Sequence, residues 1–411
     1  MEMKIVGFVE GARRNGPGIV SVPTILRSVA AQGHHIVLAM GGPPSLGCEK
    51  YLVPDVDSGA SRTEGKGTFG ILRLNSWSDW SLCPAMFWRF NRLVREADFV
   101  LLHSLYSFPV LVGYILARLH RKPYAFWPHG VLAPFQRQIS VRKKRVYKAL
   151  FANPIIEKAS VIFYSAKGER EEAAPLGFRT PSVIVPEGLD ADKFATLPPR
   201  GRFRTRFLNG HKGPLILFLA RLAPKKGLDL LAKTMQRVIV ERPDVRLAIV
   251  GPPDPPSFND QVLQWVKESG IESQTVMSGM ANAEVRLEAF ADADVYVLPS
   301  HEENFGFSVF EAMASGVPVV VSETLNYADE IARSGAGLSL PRTPEAFSAA
   351  IIDLIDRADI RREMGACGRL FVRKYSLEET GAKVAKTVEC IVRRLPFPAE
   401  LAPMIDPEFR S

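Results

Sequence analysis

Cysteine is scarce: Cys48, Cys83, Cys367 and Cys390 are scattered over 411 residues and form no Cys-x-x-Cys pair. Neither a disulfide framework nor a thiolate zinc site is expected, which fits a reducing cytosol. Carboxylates and histidines do not gather at metal-ligand spacing either. Asp292-Ala293-Asp294 resembles an Asp-x-Asp metal motif, but Asp294 opens an apolar strand, so the two read as a helix end and a strand start. No metal is expected. Uninterrupted apolar runs of membrane-spanning length are also missing. Phe99 to Leu119 comes nearest, and His103, Ser104, Ser107, Pro109 and Arg118 break it into a buried strand, a turn and a helix. Met1 leads directly into Lys4-Ile5-Val6-Gly7-Phe8-Val9 without a cleavage site, so the expectation is a cytoplasmic protein with no secretory signal.

Acid is absent from residues 101–150, which hold nine Lys or Arg. The net charge of +8 is uneven: residues 1–190 carry 24 Lys and Arg against 15 Asp and Glu, and the remainder 28 against 29. A basic first half favours a phosphate-bearing substrate or an anionic lipid surface. Nucleic acid ranks last, because no recognisable binding module appears. Residues 136–151 read as a basic helix with Val146, Tyr147, Leu150 and Phe151 on an apolar side, suited to peripheral contact with the inner face of the cell membrane. Trp77, Trp80, Phe87, Trp88 and Phe90 lie among Arg89, Arg92 and Arg95; contact with a membrane interface is one reading, and packing of the rings inward is the favoured one.

What is present is a soluble enzyme's composition, 46% hydrophobic and 23% charged, in a chain too long for one ordinary core. Strand and helix patterns alternate, as in doubly wound parallel sheets. The first unit runs from strand 3–9 through a loop, Gly11 to Gly18, that lacks the Gly-x-Gly-x-x-Gly spacing, to a helix from about Val20 to Ala31. Residues 41–70 show little periodicity and read as a surface excursion. A basic linker is expected near 196–213, after which the pattern restarts at Leu215–Leu219. The expected domains are 1–190, 191–375 and a closing segment, 376–411.

The chain is organised around residues 301–318. The run Val295-Tyr296-Val297-Leu298 reads as a buried strand, followed by acids at a turn, then a helix that stops at Gly316 before Pro318. A helix starting at a strand's carboxyl end offers N–H groups and a positive dipole end to an anion. Glu303 and Glu311 are eight positions apart, about 12 Å if helical. One carboxylate can then reach sugar hydroxyls while the other takes a ribose diol. On the loop after Leu219, Arg221 and Lys226 suit a diphosphate, a forked guanidinium beside a compact ammonium. His129, at a strand's carboxyl end before Gly130, is placed either to face a cleft or to bond backbone.

The setting Glu303-Asn-Phe-Gly-Phe-Ser-Val-Phe-Glu311-Ala-Met-Ala-Ser-Gly-Val-Pro resembles the Glu-x7-Glu signature of retaining GT-B glycosyltransferases, family 4-like and group 1. Arg221-Leu-Ala-Pro-Lys-Lys226-Gly is similar to that family's Arg-Leu-x-x-x-Lys-Gly loop, and Pro128-His129-Gly130 to its acceptor-domain motif. The resemblance implies two Rossmann-like α/β domains facing a cleft, with the last helix crossing back to the first domain. It implies a UDP- or GDP-sugar donor, no cofactor, and retention at the anomeric carbon. His129 and Glu303 would address the donor sugar, with Arg221, Lys226, Gly306, Phe307 and Glu311 holding the nucleotide. Gly16 and Gly18 would line the cleft. A polyprenyl-diphosphate or other anionic acceptor is the expected partner. Val185-Pro186-Glu187-Gly188-Leu189-Asp190 resembles the family's Pro-Asn-Gly-Val-Asp turn, but Glu187 replaces the Asn and receives no role. An epimerase of the same architecture, or a nucleotide-sugar binding protein without turnover, are the alternatives.

Overall fold

The structure is a computed structural model that describes residues 2–10, 17–42, 62–64, 66–76, 80–134 and 147–401. The chain divides into two compact units, Met1–Gly188 with Leu377–Ser411, and Leu189–Ser376.

The first unit begins β1 (Lys4–Val9), α1 (Pro17–Ala31), β2 (His35–Gly41), β3 (Arg62–Glu64), β4 (Gly67–Leu74), α2 (Met86–Glu96), β5 (Phe99–His103), α3 (Phe108–Leu119) and β6 (Tyr124–Trp127). After a π-helical turn, Lys148–Ala152, come α4 (Asn153–Glu157), β7 (Val161–Tyr164), α5 (Lys167–Ala173) and β8 (Ser182–Ile184). Eight strands form one sheet in the order β3-β4-β2-β1-β5-β6-β7-β8. All neighbours are parallel except β3, which pairs antiparallel with β4 at the edge. Strands β5, β6 and β7 are buried at every position, as helices on both faces require.

The final helix, Leu377–Arg393, packs on α1: Val384, Ala385 and Val388 share a core with Val22, Ile25, Leu26 and Val29. Gly381 permits the approach, since a Cβ there would overlap the Ser28 carbonyl. Thr380 Oγ1 donates to Pro186 O at 2.9 Å.

The second unit comprises α6 (Asp192–Ala195), α7 (Arg202–Phe207), β9 (Leu215–Leu219), α8 (Leu228–Glu241), β10 (Arg246–Val250), α9 (Phe258–Glu268), β11 (Thr275–Gly279), α10 (Ala283–Asp292), β12 (Val295–Leu298), α11 (Phe307–Ala314), β13 (Val319–Ser322), α12 (Ala328–Arg333), β14 (Gly337–Leu340), α13 (Pro344–Asp356) and α14 (Ala358–Val372). Its all-parallel sheet runs β11-β10-β9-β12-β13-β14. The strand order reverses between β9 and β12, the switch point of a doubly wound sheet.

Three expectations need correction. Part of the stretch 41–70 is sheet rather than surface excursion: β3 and β4 extend the sheet, and Phe69 and Ile71 are buried in its core. The linker near 196–213 contains α7, and its Arg204 is buried, donating to Asp294 Oδ2 at 3.0 Å and to the Asp292 carbonyl at 2.9 Å. Glu303 and Glu311 do not share a helix, because α11 starts only at Phe307. Of the aromatic group, Phe90 is buried and Phe87 and Trp80 pack edge-on to Phe108. Trp88 stays 67% exposed, and Trp77 lies outside the described residues. Residues 135–146 of the expected basic helix lie outside the described residues. Among the described residues no helix is long and apolar enough to cross a membrane.

Candidate active site

In the second unit, the loops after β9 and β12 meet at the point where the strand order reverses. A turn at Pro224–Lys226 ends at Gly227 with φ +69°. A side chain at Gly227 would overlap the Pro299 carbonyl, so the loop after β9 lies directly on the end of β12. His301 N donates to Lys225 O at 2.7 Å and locks the two loops together. This brings Lys226 Nζ to 2.5 Å from Glu303 Oε1, which also accepts from Ser300 Oγ at 2.8 Å. Burial pushes the Glu303 carboxyl up, but the charges of Lys226 and Lys225 and the two hydrogen bonds prevail, and it lies below the usual range. Burial lowers Lys226 against the pull of Glu303. The pair is held charged.

Gly306 caps α11 with φ +77° and without a side-chain cap, so the helix's first amides are presented at the same strand ends. Tyr296 OH donates to Ser308 Oγ at 2.7 Å, tying the helix start to β12. Glu311, one turn on, is buried and pairs with Arg286 from α10. Burial raises its carboxyl, with the Arg286 charge opposing. Arg221 is half-buried and pairs with Asp254 on the loop after β10, not with the Lys226 pair.

His129 belongs to the first unit, at the end of β6. Its side chain is 2% exposed, and both ring nitrogens are engaged: Nδ1 with Glu187 Oε1 at 3.0 Å, Nε2 with His103 Nδ1 at 2.9 Å. The ring stacks on Trp127, centroids 5.0 Å apart and planes 9° off parallel. His129 itself has φ +50° and Gly130 φ +79°. Glu169 pins this turn, accepting from Gly130 N at 2.5 Å and Ser165 N at 2.6 Å. Burial pushes the Glu169 carboxyl up to about 8, with those N–H groups pulling the other way. Gly18 lies in the first turn of α1, and Gly16 falls outside the described residues.

Four residues of these two clusters escaped the sequence. Arg286 sits in an ordinary helix with no motif around it, and Glu169 looks like a solvated charge in Lys-Gly-Glu-Arg-Glu-Glu. Glu187, given no role, holds His129; His103 read only as a break in an apolar run. The Asp292 and Asp294 carboxylates are spent on protein: the first accepts from Arg204 N at 2.8 Å, the second from Leu215 N at 2.8 Å and from Arg200 at 2.5 Å. Among the described residues no group of three or more His, Cys, Asp or Glu is placed to hold a metal ion.

Residues 200–371 match the model for glycosyl transferases group 1, and residues 19–188 the model for the glycosyl transferase 4-like domain. The D-inositol 3-phosphate glycosyltransferase of Kineococcus radiotolerans is 27% identical over 291 residues, 66% of this chain and 67% of that protein. The phosphatidyl-myo-inositol mannosyltransferase of Mycolicibacterium smegmatis is 24% identical over 326 residues, 75% of each. Among solved structures, Anabaena HepE in complex with UDP and glucose aligns with a TM-score of 0.74 at 18% identity, covering 94% of this chain and 99% of that one. Sucrose-phosphate synthase from Thermosynechococcus elongatus aligns at 0.71 and 19%, covering 95% and 99%. That likeness is one of fold, the GT-B architecture. With both halves matched, the chain belongs to the group 1, family 4-like glycosyltransferases.

Proposed function

We propose that this enzyme moves a sugar from a UDP- or GDP-sugar to an acceptor hydroxyl, with anomeric configuration retained and without an essential metal. The observation that carries the reading is the convergence of Lys226, Glu303 and the first amides of α11 at one strand-order reversal, with Glu311 one turn further along. Breaking the glycosyl–phosphate bond leaves negative charge on the diphosphate. Lys226, Arg221 and the N–H groups near Gly306 and Phe307 are the groups suited to receive it, preorganised before substrate arrives. Positive side chains supply the neutralisation that a divalent cation supplies elsewhere. Glu311 takes the ribose hydroxyls and Glu303 the sugar hydroxyls.

Retention rests on the Glu-x7-Glu resemblance. The acceptor oxygen attacks on the face the phosphate leaves: the anomeric carbon–phosphate bond breaks, the new glycosidic bond forms, and the departing phosphate oxygen takes the acceptor's proton. The basic excess of residues 1–190 favours an anionic acceptor, such as a lipid diphosphate, and peripheral contact with an anionic bilayer. The names of the inositol-directed relatives tend the same way.

A thermal-shift panel of UDP, GDP, ADP and their sugar conjugates, with and without EDTA, tests the donor site on wild type and Glu311→Ala. One nucleotide should raise the melting temperature, keep doing so in EDTA and fail with the variant. Silence from the whole panel would remove the donor reading, and an inverted anomer in product NMR would remove retention.

A further inference from the structure

We propose that the first unit carries a further binding site, for a small phosphate monoester, in the cavity between the end of α1 and the final helix. It is separate from the donor site and does not rest on the reading of that site.

The cavity measures about 670 Å³, within the range of roughly 300–1,000 Å³ that small-molecule pockets occupy. Glu2, His34 and Lys66 line it and stand just before β1, β2 and β4. Those strands are parallel, so the three residues share the amino end of the sheet. His129 follows β6 at the carboxyl end of the same sheet. The remaining wall comes from Gln32 and Gly33 at the end of α1 and from Lys386 and Glu389 on the final helix.

The carboxylates of this wall are already engaged. Glu389 accepts from Lys386 at 3.1 Å and from Arg393 at 2.8 Å, and the Lys386 hydrogen bond holds its carboxyl below the usual range. Glu2 lies 3.3 Å from His35 Nε2. Two donors are not engaged. His34 is only 8% exposed, and its backbone N donates to Ala30 O at 3.3 Å while its carbonyl accepts from Thr68 N at 3.0 Å. Its Nδ1 accepts from Met3 N at 3.3 Å. A ring nitrogen that accepts from an amide carries no proton, so the neutral imidazole is protonated on Nε2. Burial lowers the His34 pKa and keeps the ring neutral. That Nε2–H has no partner among the described residues, and the cavity is what it faces. The Lys66 ammonium likewise has no counter-ion among the described residues. Its Cβ stands 3.7 Å from where a Gly33 side chain would begin, which sets Lys66 against the turn that carries His34.

Unmatched donors around a cavity call for an acceptor-rich anion. His34, Lys66 and the Gln32 amide come from three separate segments, which suits the tetrahedral oxygens of a phosphoryl group better than a planar carboxylate. The remaining volume admits the polyol or sugar that the phosphate esterifies. A ligand held here touches both α1 and the final helix and ties one to the other.

Calorimetric titration and 15N-histidine spectra of the full chain, saturated beforehand with UDP or GDP to occupy the donor site, test the proposal. The probes are glycerol 3-phosphate, glucose 6-phosphate, inorganic phosphate and glucuronate. An ester should move the His34 Nε2–H resonance, assigned with His34→Gln, and should bind more tightly than inorganic phosphate. It should also slow amide exchange in Leu377–Arg393. Lys66→Met, at an exposed position that carries no folding contact of its own, should weaken ester binding about tenfold or more and leave nucleotide binding unchanged. A His34 resonance that no probe moves, or equal ester affinity in Lys66→Met, overturns the proposal. Binding of glucuronate with the esters silent overturns the assignment to phosphate. If neither nucleotide binds, the donor reading fails by itself, and the His34 resonance still decides this site.

Discussion

Lys226 Nζ lies 2.5 Å from Glu303 Oε1, and both side chains are about nine-tenths buried. Two loops that leave neighbouring strands thus meet in one ion pair. Removing a single partner from such a pair strands the other charge, at a cost of roughly 3–5 kcal/mol. Lys226→Met should lower the melting temperature and abolish nucleotide binding. The double variant Lys226→Met with Glu303→Gln should regain most of the stability and none of the affinity. The pH dependence should also invert. Wild-type Glu303, held low, contributes stability that is present at neutral pH and lost as pH falls through its folded value. Without Lys226 the buried carboxyl is raised, so the single variant should be steadier at pH 5 than at pH 8. Calorimetry at the two pH values reads both signs.

Arg286 is the charge that opposes the burial of Glu311. Arg286→Ala removes it, so the carboxyl climbs further and takes a proton nearer neutrality. A protonated Glu311 accepts ribose hydroxyl bonds poorly. Nucleotide affinity should fall about tenfold or more, with a larger loss at pH 6 than at pH 8.5. Titration calorimetry showing equal affinity for variant and wild type would detach Arg286 from the site.

Glu169 carries a different pH signature. Its carboxyl is pushed up to about 8 from 4.5, so the folded state keeps a proton that the unfolded chain gives up. Its contribution is fully present below pH 4.5 and is lost as pH rises through 8. The wild-type melting temperature should therefore decline across that window. Glu169→Gln should lie lower throughout, having one acceptor for two N–H groups, and should show a flatter slope. A slope unchanged by the substitution would remove Glu169 as its source.

Two glycines at positive φ should respond unequally to alanine. Gly306, with φ +77°, has nothing nearer to a new Cβ than Val309 Cγ2 at 3.6 Å, so Gly306→Ala meets only backbone strain, about 1–2 kcal/mol. Gly227→Ala meets that strain plus overlap with the Pro299 carbonyl. It should part the loops after β9 and β12, and donor binding should go with it. Denaturant unfolding and nucleotide titration of the two variants measure the contrast.

Asp292 is fully buried and holds the backbone N–H groups of Gly201 and Arg204. Asp292→Ala should destabilise the second unit by about 3–5 kcal/mol, since the Arg204 guanidinium beside it is also buried. EDTA should leave wild-type stability unchanged, because these carboxylates serve arginine. A melting temperature that falls on chelation would reverse that assignment.

The sequence by itself determined the elements and their alternation. Continuous apolar runs such as Val295-Tyr296-Val297-Leu298 are readable because a parallel strand is buried on both faces, and Gly316 with Pro318 ends a helix for local steric reasons. It also placed Lys226, Glu303 and Glu311 through the family pattern they sit in. Only the tertiary structure decided which charges neutralise one another. Lys226 is 77 residues from Glu303, Arg286 is 25 from Glu311 and Glu187 is 58 from His129. Spacing along a chain says nothing about such pairs, because each joins side chains from separate segments that only the fold brings together. β3 at the edge and β4 beside it stayed hidden for a related reason, since strands among glycine and threonine gain their order from neighbours in the sheet and not from their own periodicity. Glu169 was illegible for the opposite cause: its three-acid surroundings look solvated, and only the fold turns that one carboxylate inward onto the backbone of the His129 turn.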